Sequence, residues 1–194
     1  MSSRAQKLLF LDRDGVINRD SSNFIKHPDE CVPIPGRLQP ITRATRAGFR
    51  SVVVTNQSGL GRGLFDLDTL HAIHAKMLAA VRASGGSIDC VMFCPHRAED
   101  QCQCRKPAPG LLLEACQRLH VEPATTTLIG DKLSDMQAIG AIGGRGILVQ
   151  TGERMVPENV RLSLAPAPDM VPDLAAAVDR LIAEAAARAE TETH

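Results

Sequence analysis

The sequence predicts an α/β fold: one parallel sheet with helices packed on both faces. Three observations carry that prediction. Short apolar runs alternate with segments of helical pattern, as expected where each crossover between parallel strands is a helix. The length of 194 residues, with 44% hydrophobic and 23% charged content, suits one domain with a sizeable core. Residues able to do chemistry, namely Asp12, Thr55, Cys94 and Asp131, fall at the carboxyl ends of the apolar runs. In open sheets of this class, that rim is where ligands bind.

In chain order, strands are expected over Lys7 to Leu11, Ser51 to Thr55, Cys90 to Cys94, Thr126 to Gly130 and Gly146 to Val149. Helices are expected over Gly36 to Ala47, Asp66 to Ala83, Pro109 to Leu119, Leu133 to Ile139 and Pro172 to Ala187. This gives a single domain over 1–194, with a core over 7–151 and a C-terminal helix within 172–189. The stretch from Asn18 to Gly36 is too short for a separate cap domain, so the rim stays open. Pro157 to Pro172 is rich in proline and reads as a surface connection, and Thr191 to His194 as a frayed end. No internal repeat is evident.

The formal charge of +0, from 22 basic and 22 acidic residues, provides no global field to attract nucleic acid or an anionic membrane. Five Phe with no Trp or Tyr leave little material for base stacking. The start, Met1 to Lys7, lacks an apolar core, and no apolar run reaches membrane-spanning length. A cytoplasmic protein is expected, and so compact a pattern is compatible with a monomer.

Chemistry concentrates in five places. In Leu8 to Gly15, Asp12 and Asp14 stand one residue apart where an apolar strand runs into a glycine turn. Alternate side chains of an extended backbone point the same way, so both carboxylates can face one pocket. Their repulsion implies a divalent cation. Thr55-Asn56-Gln57-Ser58-Gly59 follows the next strand, offering a hydroxyl and turn amides to phosphoryl oxygens. Lys106, in Arg105-Lys106-Pro107, offers a compact positive charge. Asp131 follows the fourth strand as a further metal ligand, with Asp135 supporting it from behind. Finally, Cys94-Pro95-His96 and Cys102-Gln103-Cys104 place three thiols and an imidazole within eleven residues, a set able to close a tetrahedral shell on zinc. With no position left for water, that zinc would be structural. Because Cys104 abuts Arg105 and Lys106, it would also set the position of the lysine. Cys31, Cys90 and Cys116 read as small hydrophobes or free thiols, and His27, His71, His74 and His120 as surface or helix-face residues.

Taken in order, D-R-D-G-V, V-T-N-Q-S-G, R-K-P and G-D-K-L-S-D resemble the four motifs of the haloacid dehalogenase (HAD) phosphatase superfamily, a Rossmann-like fold, over Leu8 to about Thr151. Within it, T-N-Q-S-G-x-G-R-G, C-P-H, C-x-C-R-K-P and G-D-K-x-x-D-M-Q-A resemble the heptose bisphosphate phosphatase family. Histidinol-phosphate phosphatases are near relatives in this resemblance. It implies that Asp12 attacks phosphorus to give an aspartyl-phosphate that water hydrolyses. A magnesium ion would be held by Asp12, the backbone carbonyl of Asp14 and Asp131. Asp14 would protonate the leaving alkoxide and then activate water, work that calls for anionic neighbours favouring its protonated form. Thr55 and Lys106 would hold the equatorial oxygens. The resemblance also implies that Asp20, Ser21, Ser22 and Asn23 contact sugar hydroxyls, that Asn56, Gln57 and Ser58 line the phosphate, that Arg105 reads the distal end and that Lys132 lies near the phosphate. Ser21-Ser22 departs from the His-Gly often found there in the resembling enzymes. Arg62 stands either as a second anion contact or as a solvated loop residue. The expected activity is removal of the 7-phosphate from a heptose bisphosphate. Histidinol-phosphate hydrolysis, or a non-catalytic zinc module binding a phosphosugar or protein, are the alternatives.

Overall fold

The computed structural model describes residues 7–151, 164 and 167–191. Six strands form one sheet: β1 (Lys7–Leu11), β2 (Phe49–Asn56), β3 (Cys90–Cys94), β4 (Thr127–Gly130), β5 (Arg145–Val149) and β6 (Asp169–Val171). Their spatial order is β3-β2-β1-β4-β5-β6, and every pairing is parallel. Parallel neighbours need long crossovers, supplied by α1 (Leu38–Arg46), α2 (Ser58–Gly61), α3 (Leu67–Ala83), α4 (Gly110–Leu119) and α5 (Leu133–Gly140), with α6 (Leu174–Thr191) closing the chain.

Both faces of the sheet are buried, which explains the nearly unbroken apolar runs. Leu9 and Leu11 of β1, with Val53 and Ile129, pack against Ile41 of α1, Ile73 and Met77 of α3 and Leu174 and Val178 of α6. On the other face Leu8, Phe10, Val52 and Leu128 meet Leu111, Leu112 and Ala115 of α4 and Ala138 of α5. Each fully buried Val, Leu, Ile, Phe or Met among these contributes about 1.5–3 kcal/mol relative to exposure. The chain winds from β1 out to β3 and returns to β4 on the other side of β1, so the strand order reverses there. A crevice at the carboxyl ends follows from that reversal. Leu11 is in register with Val53 and Ile129, so the turns after β1, β2 and β4 meet at one rim.

Differences from expectation are local. Strand β2 starts two residues early and includes Asn56 because its edge partner β3 runs on to Cys94. Asp66 caps α3, its carboxylate accepting from the Thr69 N–H at 2.8 Å. Much of Pro157 to Pro172 lies outside the described residues, but its end is strand β6, paired with Ile147 to Val149. Three residues are too few to show a strand period; the register comes from β5. The apolar core reaches beyond 151 to Leu181 in α6. Thr191 is still helical, its hydroxyl donating to the Ala187 carbonyl at 2.7 Å, while residues 192–194 lie outside the described ones.

Candidate active site

The rim at β1 and β4 gathers three carboxylates. One oxygen each from Asp12, Asp131 and Asp135 lies within 4.8 Å of the others, and all three residues are buried. The backbone brings them there: the Asp12 N–H extends the sheet by donating to the Ile129 carbonyl at 3.0 Å, and Asp131 follows Gly130 directly. Close approach requires two glycines. A Cβ on Gly15, whose φ is +86°, would stand 2.2 Å from an Asp131 oxygen, and one on Gly130 would stand 2.5 Å from Asp135. Asp135 sits deeper than the expected supporting role suggests. It caps α5 by accepting from the Lys132 N–H at 3.0 Å and also ion-pairs with Lys106.

Lys106 is the buried cation of the cluster. Its Nζ lies 3.0 Å from Asp12 Oδ1 and 2.5 Å from Asp135 Oδ1, and it donates to the Val54 carbonyl at 2.7 Å. Burial pushes Asp12 up, but Lys106 and then Lys132 outweigh it and hold the carboxyl below its ordinary range, ready to act as an anion. Asp131 differs. Burial and the charge of Asp12, opposed by Lys132 and reinforced by Asp135 and Asp20, push it up to about 8. Both of its oxygens are buried without a hydrogen-bond partner. An all-oxygen set of crowded carboxylates, one of them without a hydrogen bond, fits a hard divalent cation.

Asp14 departs from the expectation of two carboxylates facing one pocket along an extended strand. Strand β1 ends at Leu11, the chain bends at Arg13, and the amides of Ile17 and Asn18 both donate to the Arg13 carbonyl. In that turn the Asp14 carboxylate accepts from Arg13 Nε at 2.9 Å, Arg13 Nη2 at 2.7 Å and Gln57 Nε2 at 3.0 Å. Its close partners are thus a cation and an amide, where anionic neighbours were expected. Gln57 Nε2 also donates to Thr55 Oγ1 at 2.9 Å. That leaves the Thr55 hydroxyl hydrogen to be aimed elsewhere.

Sequence reading missed Arg13 and misjudged His74. Arg13 is fully buried, and its Nη1 lies 3.2 Å from His74 Nε2, with His74 itself buried rather than on the surface. The available signal was a charged residue between two acids expected to be catalytic, pointing away from both in an extended reading. Burial, then the Arg13 charge, pushes His74 down to about 3. A histidine held below its unfolded value of 6.5 contributes stability that is present above pH 6.5 and lost as pH falls towards 3. Wild type should therefore lose stability relative to His74→Gln by up to about 1.4 kcal/mol per pH unit across that window. Urea unfolding of both proteins at pH 7 and pH 4 checks this; an unchanged difference would remove the histidine from the acid response.

Cys94, His96, Cys102 and Cys104 converge at the end of β3. The Cys94–Cys104, Cys94–Cys102 and Cys102–Cys104 sulfurs are 3.2, 3.5 and 3.4 Å apart, and His96 Nδ1 is 3.2 Å from Cys104 Sγ and 3.6 Å from Cys94 Sγ. Edges of that length surround a centre about 2.0–2.2 Å from each vertex, close to Zn–N and slightly under Zn–S bond lengths. The set is consistent with a zinc site. All six cysteines are free of disulfides. Cys31 and Cys116 are buried and Cys90 half-buried, as small hydrophobes are.

Lys106 has a second tether beside this loop. Its N–H donates to Asn56 Oδ1 at 3.1 Å, and Asn56 Nδ2 donates back to the Lys106 carbonyl at 3.0 Å. Asn56, expected to line the phosphate, thus spends its amide on clamping the lysine. One turn amide expected to cradle phosphate is also committed, the Gln57 N–H to the Cys94 carbonyl. Ser58 is buried and opens the short α2.

The expected sugar-contacting residues sit at the rim with mixed involvement. Asp20 accepts from the Ser21 N–H and pairs with Lys132 Nζ at 3.0 Å, placing that ammonium 4.0 Å from Asp131. Burial lowers Lys132, but Asp12, Asp131 and Asp20 together raise it further. Ser21 Oγ accepts from the Asn23 N–H within the loop, and Ser22 and Asn23 are exposed. Arg105 Nη1 donates to the His96 carbonyl at 3.2 Å, tying it to the Cys/His loop. Arg62 faces Glu99 at 3.8 Å. No helix among the described residues is long and apolar enough to cross a membrane.

Known proteins resemble this chain in sequence and fold. A family model described as HAD-hydrolase-like matches residues 103–177. A D-glycero-beta-D-manno-heptose-1,7-bisphosphate 7-phosphatase of Bordetella bronchiseptica is 46% identical over 186 residues, covering 92% of this chain and 99% of the relative. That of Pseudomonas aeruginosa is 39% identical over 92% of this chain and 99% of the relative. A crystal structure of the Bordetella D,D-heptose 1,7-bisphosphate phosphatase, complexed with magnesium and phosphate, superposes with a TM-score of 0.83 at 45% identity, covering 92% of this chain and 99% of that one. Matching such enzymes over 92% of its own length and 99% of theirs, this chain belongs to the heptose-1,7-bisphosphate 7-phosphatase family of HAD-like hydrolases.

Proposed function

We propose that the protein removes the 7-phosphate of D-glycero-D-manno-heptose 1,7-bisphosphate through an aspartyl-phosphate on Asp12, a step in making nucleotide-activated heptose in the cytoplasm. The observation that carries this is the pairing of buried Asp12 with Lys106 at 3.0 Å beside Asp131, whose two oxygens are buried without a hydrogen bond. Asp12 Oδ attacks phosphorus as the P–O bond to the sugar breaks. Lys106 and the Thr55 hydroxyl hold the equatorial oxygens, so positioning and charge stabilisation supply most of the rate. Asp14 gives a proton to the leaving alkoxide and then takes one from the attacking water. Asp12, Asp131 and the Asp14 backbone carbonyl would hold magnesium, which offsets the repulsion between the anionic nucleophile and the phosphate. Support comes from the Bordetella structure, which holds magnesium and phosphate.

Lys132 and Asp20, paired at the mouth, would meet the sugar, with Arg105 and the Ser21 to Asn23 loop beside them. A phosphate-release screen over heptose, hexose and histidinol phosphates tests the assignment. The heptose 1,7-bisphosphate should lead it by kcat/KM, and a strong preference for histidinol phosphate would replace the substrate.

For the Cys/His loop we propose structural zinc, bound by Cys94, His96, Cys102 and Cys104 and bracing Arg105 and Lys106 from one side while Asn56 clamps the other. Removing it should lower kcat by about 10- to 100-fold and leave residual turnover, because the Asn56 clamp remains. Metal analysis before and after chelation, with activity measured in excess magnesium, checks both points. Full activity in zinc-free protein would separate the loop from the lysine.

A further inference from the structure

The network behind Asp14 has no role in the reaction described above. We infer that Arg13, braced from behind by neutral His74, is the positioning residue that fixes the Asp14 carboxylate for proton transfer. The inference rests on the phosphatase reading. Asp14 lies beyond the end of β1, in a turn where an isolated bridge to Asn18 holds its backbone and hydrogen bonds to its carboxylate come from Arg13 and Gln57. Proton transfer to a leaving oxygen requires hydrogen-bond reach in the reacting complex. A planar guanidinium gripping both carboxylate oxygens, at 2.9 and 2.7 Å, restricts position and plane together.

Such a fork places the carboxylate only if it is itself held. Arg13 is 0% exposed, and beyond Asp14 its guanidinium reaches two side chains, Gln57 Oε1 at 2.9 Å from Nη2 and His74 Nε2 at 3.2 Å from Nη1. Since arginine can only donate, His74 must present a bare Nε2 and carry its hydrogen on Nδ1. Packing of the His74 ring on Phe93, with centroids 5.8 Å apart, sets its orientation. Removing the acceptor leaves Nη1 buried and unsatisfied, free to pivot the fork. Gln57 then carries the placement onward, since one amide nitrogen donates to both Asp14 and Thr55.

The test uses leaving groups. kcat/KM reports formation of the phosphoenzyme, in which a sugar alkoxide needs a proton and p-nitrophenolate does not. His74→Phe keeps a ring and removes the acceptor; His74→Gln keeps an acceptor. For the heptose bisphosphate, His74→Phe should lose about 10- to 100-fold in kcat/KM, against less than about threefold for p-nitrophenyl phosphate, and His74→Gln should recover most of the loss. Equal losses on both substrates, or no loss on the heptose bisphosphate, would overturn the inference while leaving the phosphatase reading intact. Wild-type protein releasing phosphate from neither substrate would overturn both. Should His74→Phe fail to fold, long-range nitrogen–proton NMR of the wild type at pH 7 decides: an Nδ1–H tautomer supports the brace, and a proton on Nε2 refutes it.

Discussion

Asp12→Asn should lower kcat by at least about 1,000-fold while leaving the fold unharmed. The carboxamide has the same shape but cannot attack phosphorus as an anion. The effect on stability has a definite sign. Asp12, Asp131 and Asp135 crowd three acids around one fully buried cation, Lys106, with Lys132 at the edge. Removing one negative charge relieves repulsion among the remaining acids, but it also forfeits the attraction of Lys106 and Lys132 that holds Asp12 below its ordinary range, and leaves Lys106 paired with Asp135 alone. Because the folded protein favours the ionised Asp12, metal-free Asp12→Asn should melt below metal-free wild type at neutral pH while staying folded. Thermal melts alongside single-turnover assays check both halves, and wild-type turnover by the variant would remove Asp12 from the nucleophile's place.

Lys106→Met should be the most damaging single change to stability in this site. The methionine fills a comparable volume but strips Asp12 and Asp135 of their buried partner and the Val54 carbonyl of its donor. Breaking a buried ion pair from one side costs about 3–5 kcal/mol. Loss of the ammonium proposed to face the transferring phosphoryl group should lower kcat by about 100- to 1,000-fold. Acid should shrink the stability deficit, because the orphaned carboxylates then take up protons instead of standing as buried anions. Magnesium should restore part of it at neutral pH. Denaturant unfolding at pH 5 and pH 8, with and without magnesium, would show a deficit growing with pH; one that is flat with pH would mean that the lysine matters through packing alone.

Much of this site was legible because its chemistry is written at strand ends. Asp12, Thr55, Lys106 and Asp131 each follow or abut an apolar run or the cysteine loop, so local sequence suffices to place them on one rim. The Cys/His cluster was legible for the same reason, since its spacing is local. What escaped depends on partners far apart in the chain. Asn56 looks like a phosphate ligand until its amide is seen closed on Lys106, fifty residues away. His74 looks like an ordinary helix residue until Arg13 is found behind it. The turn after Leu11, which swings Asp14 into the Arg13 fork, leaves no trace in a two-residue alternation. Strand β6 is three residues beside a proline and takes its register from β5 alone.

If Asp12 is transiently phosphorylated beside a magnesium ion, a crystal structure of the protein trapped with magnesium and beryllium fluoride should show a trifluoroberyllate bonded to an Asp12 oxygen, with Lys106 and Thr55 on its fluorines and magnesium held by Asp12, Asp131 and the Asp14 carbonyl. A fluoride complex bound elsewhere, with the Asp12 carboxylate bare and distant from any cation, would refute that phosphorylation.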